Sequence, residues 1–530
     1  MPLTGNHLIA GGWQRAAVPS YTSVNPRTQA AGDVGFADAT PAEIDAAVRA
    51  AANAFTITRR YSAEQLAGFL DAVAGEIEAL GDDLLQTMDM ETALGIPRAT
   101  GERGRTTGQL RAFAALLREG SYVEAILDRA LPDRQPAPRP DMRRMLFPIG
   151  PVAVFAPNNF PLAFGVAGGD TASAFAAGCP VIAKGHPSHP ATSELVASAI
   201  QRAIAAQGFP DGFFSLLQGR SVEVGQTLIL HPQLAAVGFT GSLRGGRAIY
   251  NAAATRPTPI PVYAEMGSIN PSVILPGALD ARLQAVVDAF VGSVTLGTGQ
   301  FCTNPGLLFL LKSGQTDAFI AGMAAGMQAK APGVLLNAGV QQSLVHSVAQ
   351  AAADATVTLV TGGQVIAGDA ICYANTLLQT TGSAFLSNPA LQEEHFGPVT
   401  LLVVCDDLEQ LQAAIDALAG NLTATVYAEA DEYATAGALF DLLREKSGRL
   451  ILNQVPTGVE VVHAQQHGGP YPASTAPNST SVGMTAINRF MRPVVFQNLP
   501  DALLPPALQD ANPLGIWRIV DNATTREPLG

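Results

Sequence analysis

Lysine is nearly missing from this chain: four residues (Lys184, Lys312, Lys330 and Lys446) stand among 31 basic positions, and only 14% of the sequence is charged. With a net charge of −13 and no extended basic stripe, the composition argues against a nucleic-acid partner, which needs a cationic face to neutralise phosphates. Cysteine is equally sparse. Cys179, Cys302, Cys372 and Cys405 lie far apart with no C-x-x-C spacing, which argues against a disulfide framework or a zinc site and points to a reducing compartment. No stretch of about 18 apolar residues occurs, so no membrane span is expected, and the first residues lack the charged-then-apolar pattern of a secretion signal. The dinucleotide fingerprint G-x-G-x-x-G does not follow the first buried strand. What remains is 530 residues with 48% hydrophobic content, enough for large buried sheets in more than one domain.

The pattern along the chain changes twice. Thr40-Pro-Ala-Glu43 and Ser62-Ala-Glu-Gln65 are capping boxes that open helices, and Ala-rich helical pattern runs to about 118 with a break near Gly95-Ile-Pro97. Four prolines between 131 and 142 demand an extended excursion. Short apolar runs at 152–156, 180–183, 213–217 and 235–239 then alternate with helical stretches at about 161–177, 191–206 and 221–230. That alternation predicts a doubly wound parallel sheet. A second alternating region spans about 262–460, with strand-like runs at 272–275, 306–311, 399–404 and 422–427. The Pro-rich tail from about 495 contains Trp517 and is apolar enough to pack.

Candidate chemistry sits between and around these regions. Cys302, in Gly299-Gln-Phe-Cys-Thr-Asn-Pro-Gly306, has polar neighbours where the other three cysteines lie in apolar sequence; it is a candidate nucleophile. Glu265, in Ala264-Glu-Met-Gly267, ends a strand among apolar residues and is a candidate general base. Asn159, in Pro157-Asn-Asn-Phe-Pro161, is a candidate oxyanion donor. Phe239-Thr-Gly-Ser-Leu-Arg-Gly-Gly246 passes from strand to helix and offers backbone N–H groups to a diphosphate. Lys184 closes the second strand of the first region, where open sheets bind ligands. His186 and His189 make a conceivable metal pair with no third ligand in view. A Cys–His hydrolase would need His395, His463 or His467 beside Cys302, and the spacing favours none of them.

In order, Pro157-Asn-Asn-Phe-Pro161, Ile182-Ala-Lys-Gly-His-Pro187, Phe239-Thr-Gly-Ser242 with Gly246, Ala264-Glu-Met-Gly267, Gly299-Gln-Phe-Cys302 and Glu393-Glu-His-Phe-Gly-Pro398 resemble the motifs of the aldehyde dehydrogenase superfamily over about residues 5–500. The resemblance implies two doubly wound α/β domains plus a small β oligomerisation arm: a dinucleotide-binding domain at 1–130 and 148–262, a catalytic domain at 263–465, and the arm and tail at 131–147 and 466–530. It implies Cys302 as nucleophile, Glu265 as the base that releases the acid, and Asn159 with the Cys302 N–H as oxyanion hole. Lys184 would hold the adenine-side ribose, Ser242 and Gly246 the diphosphate, Glu394 the nicotinamide ribose, and Phe396 would lie beside the ring. Pro187 stands where NAD-preferring members often carry an acid, and Arg220 follows the third strand; both lean the expectation to NADP over NAD. Asn158 and Ser268 depart from the common residues at their positions. The segments 184–190, 467–474 and 510–517 resemble the branch holding α-ketoglutaric semialdehyde (2,5-dioxopentanoate) dehydrogenases and NADP-dependent fatty aldehyde dehydrogenases. A carboxylated substrate would need an arginine, for which Arg103, Arg105 and Arg489 are candidates. A fatty or general aldehyde dehydrogenase and a catalytically silent nucleotide-binding scaffold are the alternatives. The resemblance further implies a cytoplasmic homodimer or homotetramer without metal.

Overall fold

The computed structural model describes residues 2–529. Its first sheet has seven strands. Five are parallel, in the order Val262–Glu265, Ala236–Thr240, Val152–Phe155, Val181–Lys184 and Phe214–Leu217, and an antiparallel hairpin (His7–Ile9, Gly12–Gln14) closes the edge. Buried on both faces, these strands read as short apolar runs without alternation. The strand order reverses between Val152–Phe155 and Ala236–Thr240, a topological switch point that leaves a crevice beyond the carboxyl ends.

The second sheet also has seven strands. Six are parallel (Thr376–Thr381, Val399–Cys405, Leu307–Leu311, Ser272–Ile274, Asn421–Tyr427, Ser447–Leu452), with Thr358–Thr361 antiparallel at one edge. Each sheet has its own apolar core, the first against Phe69, Phe113, Phe175 and Phe213, the second around Phe309, Leu401 and Leu439. Among the described residues no helix is long and apolar enough to cross a membrane.

Both capping boxes form as the sequence predicts. Thr40 and Glu43 exchange hydrogen bonds at the start of helix Pro41–Thr58, as do Ser62 and Gln65 at Ala63–Ala79. One helix does not form as expected: residues 161–168 are turns, and the helix covers only Gly169–Ala176. The chain folds back on itself there, so closely that a Cβ on Gly165 would fall on the Pro161 carbonyl and one on Gly168 would come 2.5 Å from the Phe164 Cα.

The expected boundaries need two corrections. The third sheet, Met491–Gln497, Met142–Pro148, Ile126–Asp128, Arg518–Val520 and Ala523–Thr525, includes strand Ile126–Asp128, which falls inside the stretch assigned to the first domain. Its pairing with Met142–Pro148 across the proline-rich excursion draws it there. Residues 466–481, assigned to the arm, instead lie along the end of strand Val262–Glu265: Met266 N–H donates to the Ala473 carbonyl at 2.8 Å and Thr475 N–H to the Ala264 carbonyl at 3.1 Å. The tail packs on its own chain, where Leu504, Leu508, Ile516 and Val520 are buried with Leu127 and Met145.

Arg489 ties this region to the first core. Its guanidinium is buried, 2.8 Å from Asp170 and 3.1 Å from the Ser173 hydroxyl, and it donates to the Ala486 carbonyl. Removing one member of a buried ion pair leaves the other charge without compensation. Arg489→Met should therefore lower stability by about 3–5 kcal/mol, read as a fall in Tm, whereas Asp170→Asn/Arg489→Met together should fall by less than the single change.

Candidate active site

The crevice at the switch point opens into a cavity of about 800 Å³ that ends at Cys302 and Glu265. The turns after three adjacent strands line it: Ala156 to Asn159, His186 to Ser188, and Thr240 to Ser242 with Gly245. The second sheet supplies the opposite wall with Asn337, Glu394 and Phe396.

Cys302 lies on a turn between Leu296–Gly299 and strand Leu307–Leu311. Gly299 has φ +66°, and a Cβ there would meet the Gly397 carbonyl, so only glycine lets the two backbones touch. Asn270, itself left-handed at φ +48°, donates from Nδ2 to the carbonyls of Cys302 and Asn304, each at 2.8 Å. Asn421 Oδ1 in turn accepts from the Ile269 and Asn270 N–H groups. The unusual Ser268 joins this knot, donating to Asn270 Oδ1 at 3.0 Å and accepting from Leu422 N–H at 3.0 Å. None of this anchoring was visible as a motif, since asparagines 150 residues apart meet only in the folded sheet.

In the sequence His467 is one of three candidate partners for Cys302, with nothing to single it out. Of the three histidines weighed as partners for Cys302, the structure brings this one in, with Nε2 3.4 Å from the Cys302 sulfur. Its Nδ1 lies 2.7 Å from Glu265 Oε2, and both side chains are almost fully buried. Glu265 Oε2 also accepts a short hydrogen bond from Ser481. His467 and Ser481 come from the segment laid along strand Val262–Glu265, and Ser481 N–H donates to the His467 carbonyl at 2.8 Å. Burial alone would drive the imidazole pKa down; the Glu265 carboxylate and the Cys302 sulfur outweigh it and raise it to about 10. The carboxylate and the sulfur thus favour the protonated form of His467, beside the Cys302 thiol. Glu265 Oε1 is buried and has no partner. Glu265, Cys302 and His467 are also the one trio of metal-type donors among the described residues, their atoms within 4.8 Å.

The other predicted residues fall around the cavity. Asn159 is buried and donates from Nδ2 to the Gln300 carbonyl at 3.0 Å, two residues before the cysteine. Ser242 lines the cavity and caps helix Leu243–Ala254, accepting from Gly245 N–H at 3.2 Å. Gly246 is not on the cavity wall; Gly245 is, and a Cβ on Gly246 would come 2.6 Å from the Met266 side chain. Glu394 lines the cavity beside Gly267, whose missing Cβ leaves room for its carboxyl, and burial raises that carboxyl to about 7. Phe396 and Pro187 are on the wall. Lys184 has its pKa lowered to about 8 by burial, partly offset by Asp38. Arg220 is exposed and donates its N–H to Asp38 at 2.7 Å. His189 is committed to the Pro157 carbonyl at 2.8 Å, and Ser188 N–H donates to His186.

These features, a doubly wound sheet with a switch-point cavity lined by a partly exposed thiol and a buried carboxylate, are those of an oxidoreductase that binds a dinucleotide. The chain belongs to the aldehyde dehydrogenase family, whose model matches residues 13–493, and it is an NAD(P)-dependent oxidoreductase acting on aldehydes. It is 46% identical over 523 residues to alpha-ketoglutaric semialdehyde dehydrogenase 2 of Azospirillum brasilense, covering 98% of this chain and 99% of that one. It is 44% identical over 524 residues to the alpha-ketoglutaric semialdehyde dehydrogenase of Acinetobacter baylyi, with the same coverage. In fold it is similar to betaine aldehyde dehydrogenase from Staphylococcus aureus (TM-score 0.80, 20% identity, 94% of this chain and 96% of that one). It is likewise similar to 1-pyrroline-5-carboxylate dehydrogenase of Thermus thermophilus (TM-score 0.79, 23% identity, 93% of each).

A raised histidine pKa carries a pH signature. The stabilisation from protonated His467 is complete below the ordinary value of 6.5 and is lost as pH rises through about 10. Wild-type Tm should therefore fall more steeply than that of His467→Gln between pH 8 and 11, followed by thermal denaturation at each pH. At pH 7 the same variant should react with iodoacetamide at Cys302 roughly tenfold more slowly, because the sulfur has lost its neighbouring cation; mass spectrometry of the labelled peptide checks this.

Proposed function

We propose that this enzyme oxidises α-ketoglutaric semialdehyde (2,5-dioxopentanoate) to 2-oxoglutarate through a thioester on Cys302. The observation that carries the chemistry is the run Cys302–His467–Glu265, whose thiol and carboxylate line the cavity; the substrate is supported by the two semialdehyde dehydrogenases that match this chain from end to end.

The cavity fits a nicotinamide dinucleotide. It has a helix N-terminus at Ser242, glycine at 241 and 245, and an acid at Glu394. When bound, the dinucleotide supplies a hydride acceptor. Ser242 and Gly245 would face its diphosphate, Lys184 its adenine-side ribose, and Glu394 and Phe396 its nicotinamide end. With Pro187 on the wall in place of an acid, and Lys184 and Arg220 nearby, the reading favours NADP over NAD.

The protein's own steps follow from its charges. The Cys302 sulfur, 3.4 Å from His467 Nε2, attacks the aldehyde carbon as the thiolate. The oxygen of the resulting thiohemiacetal is met by the Asn159 amide, which has a second N–H beyond the one given to Gln300, and by the Cys302 N–H. Loss of hydride leaves a thioester. Glu265 Oε1, buried and unpartnered, accepts a proton from the water that cleaves it, and the acid departs as the thiolate re-forms beside His467. Assembly as a homodimer or homotetramer in the cytoplasm belongs to the same reading.

A second reading has one observation in its favour: Cys302, His467 and Glu265 also make the arrangement of a thiol hydrolase. Such an enzyme would turn over without a dinucleotide.

Cys302→Ala should abolish reduction of NADP at 340 nm with 2,5-dioxopentanoate. Glu265→Gln should give a burst of about one equivalent per site and then stall, as expected where acylation survives and deacylation does not. Normal steady-state turnover by either variant would overturn the assigned roles. In wild type, kcat/KM for 2,5-dioxopentanoate should exceed that for a long-chain aldehyde, and should be higher with NADP than with NAD.

A further inference from the structure

We propose that Arg105 is the anchor for the substrate's carboxylate, so that the enzyme selects aldehydes carrying an acid at the far end. This rests on the semialdehyde reading above and names the residue that would enforce it.

Helix Ile96–Glu119 presents Arg98, Glu102 and Arg105 on one face, at spacings of four and three. Arg98 is engaged: it pairs with Glu102 at 2.8 Å and lies 4.4 Å from the Phe160 ring and 4.6 Å from that of Phe301. Glu102 is engaged as well, its second oxygen accepting from the Leu162 and Ala163 N–H groups. That leaves Arg105 with no carboxylate within reach. Its Nε and Nη2 are buried and without any hydrogen-bond partner among the described residues. Burying these two nitrogens without a partner is costly, and an incoming carboxylate would satisfy both in the bidentate geometry that arginine favours.

The position fits the reaction. Arg105 lies 5.3 Å from the Phe164 ring; that ring meets His467 edge-on at 6.1 Å, and His467 touches the Cys302 sulfur. Phe160, Phe164 and Val482, with Phe301, Val459 and Val461, form an apolar cluster. None of them is on the wall of the dinucleotide cavity; Phe301 precedes Cys302 in the chain, and Phe164 meets the histidine beside its sulfur. An aldehyde entering along this cluster would put its carbonyl at the sulfur, its carbon chain on aromatic rings and its acid at Arg105. The other arginines weighed for the role are committed elsewhere. Arg489 is held by Asp170, and Arg103 donates to the Gly81 carbonyl at 3.1 Å. Arg449, whose field also reaches Cys302, gives both terminal nitrogens to the carbonyls of Pro456 and Gly458.

The test compares kcat/KM for 2,5-dioxopentanoate, 5-oxopentanoate and pentanal, all five-carbon aldehydes, in wild type, Arg105→Gln and Arg105→Lys. The preference for each acid over pentanal should collapse by roughly 10- to 150-fold in Arg105→Gln, the worth of a hydrogen bond to a charged group, chiefly through KM, with partial recovery in Arg105→Lys. An unchanged acid-to-pentanal ratio would overturn the proposal, because a merely structural arginine weakens all three substrates alike. If wild type favours 5-oxopentanoate over 2,5-dioxopentanoate and the ratio still collapses, the anchor stands and the semialdehyde reading falls. If wild type favours pentanal, both fall.

Discussion

The placement of His467 between Glu265 and the Cys302 sulfur is the constraint around which the rest of the site is organised. A buried imidazole alone would be neutral, and a buried carboxylate alone would be costly. Together they support each other, at 2.7 Å, and leave a cation beside the thiol. The arrangement holds only if three distant parts of the chain stay in register: the end of strand Val262–Glu265, the turn before Leu307–Leu311, and the segment from His467 to Ser481. Backbone hydrogen bonds between that segment and residues 264–266 provide the register, so that a stretch without regular secondary structure delivers both the histidine and the hydroxyl that meet Glu265.

The two parallel sheets serve this site from opposite sides. The first turns its carboxyl ends, and hence the turns after Phe155, Lys184 and Thr240, toward the dinucleotide cavity. The second sends Asn270, Glu394 and the Cys302 turn to meet them. Buried polar side chains hold the join: Asn421 binds the 268–270 turn, and Asn270 binds the carbonyl of the nucleophile itself. Such fully bonded networks tolerate little displacement, which suits a thiol that must stay in line with a carbonyl carbon and a hydride acceptor.

Local signals carried a good part of the fold. The capping boxes at Thr40 and Ser62, the apolar runs of the first sheet and the proline-rich excursion are each decided by a few adjacent residues. They failed where glycines let the chain approach itself, as at 161–168, where helical pattern gave turns. Cys302, Glu265 and Asn159 stand out in the sequence by atypical local context, a thiol among polar residues or an acid ending an apolar strand, and the structure brings all three to one cavity. Of the two adjacent glycines at the strand-to-helix turn, Gly245 faces the cavity and Gly246 receives Met266, a distinction that local sequence does not make.

By itself, then, the sequence determined the class: alternating apolar strands and helices, a scarcity of cations, and a nucleophile and base set into an ordered series of motifs. Tertiary structure alone decided which of eight histidines touches the thiol and which of three candidate arginines is left without a partner. The reason is physical. Those outcomes depend on burial and on charges separated by more than 150 residues, and neither a desolvation cost nor an unsatisfied hydrogen bond exists until the chain has closed around the group.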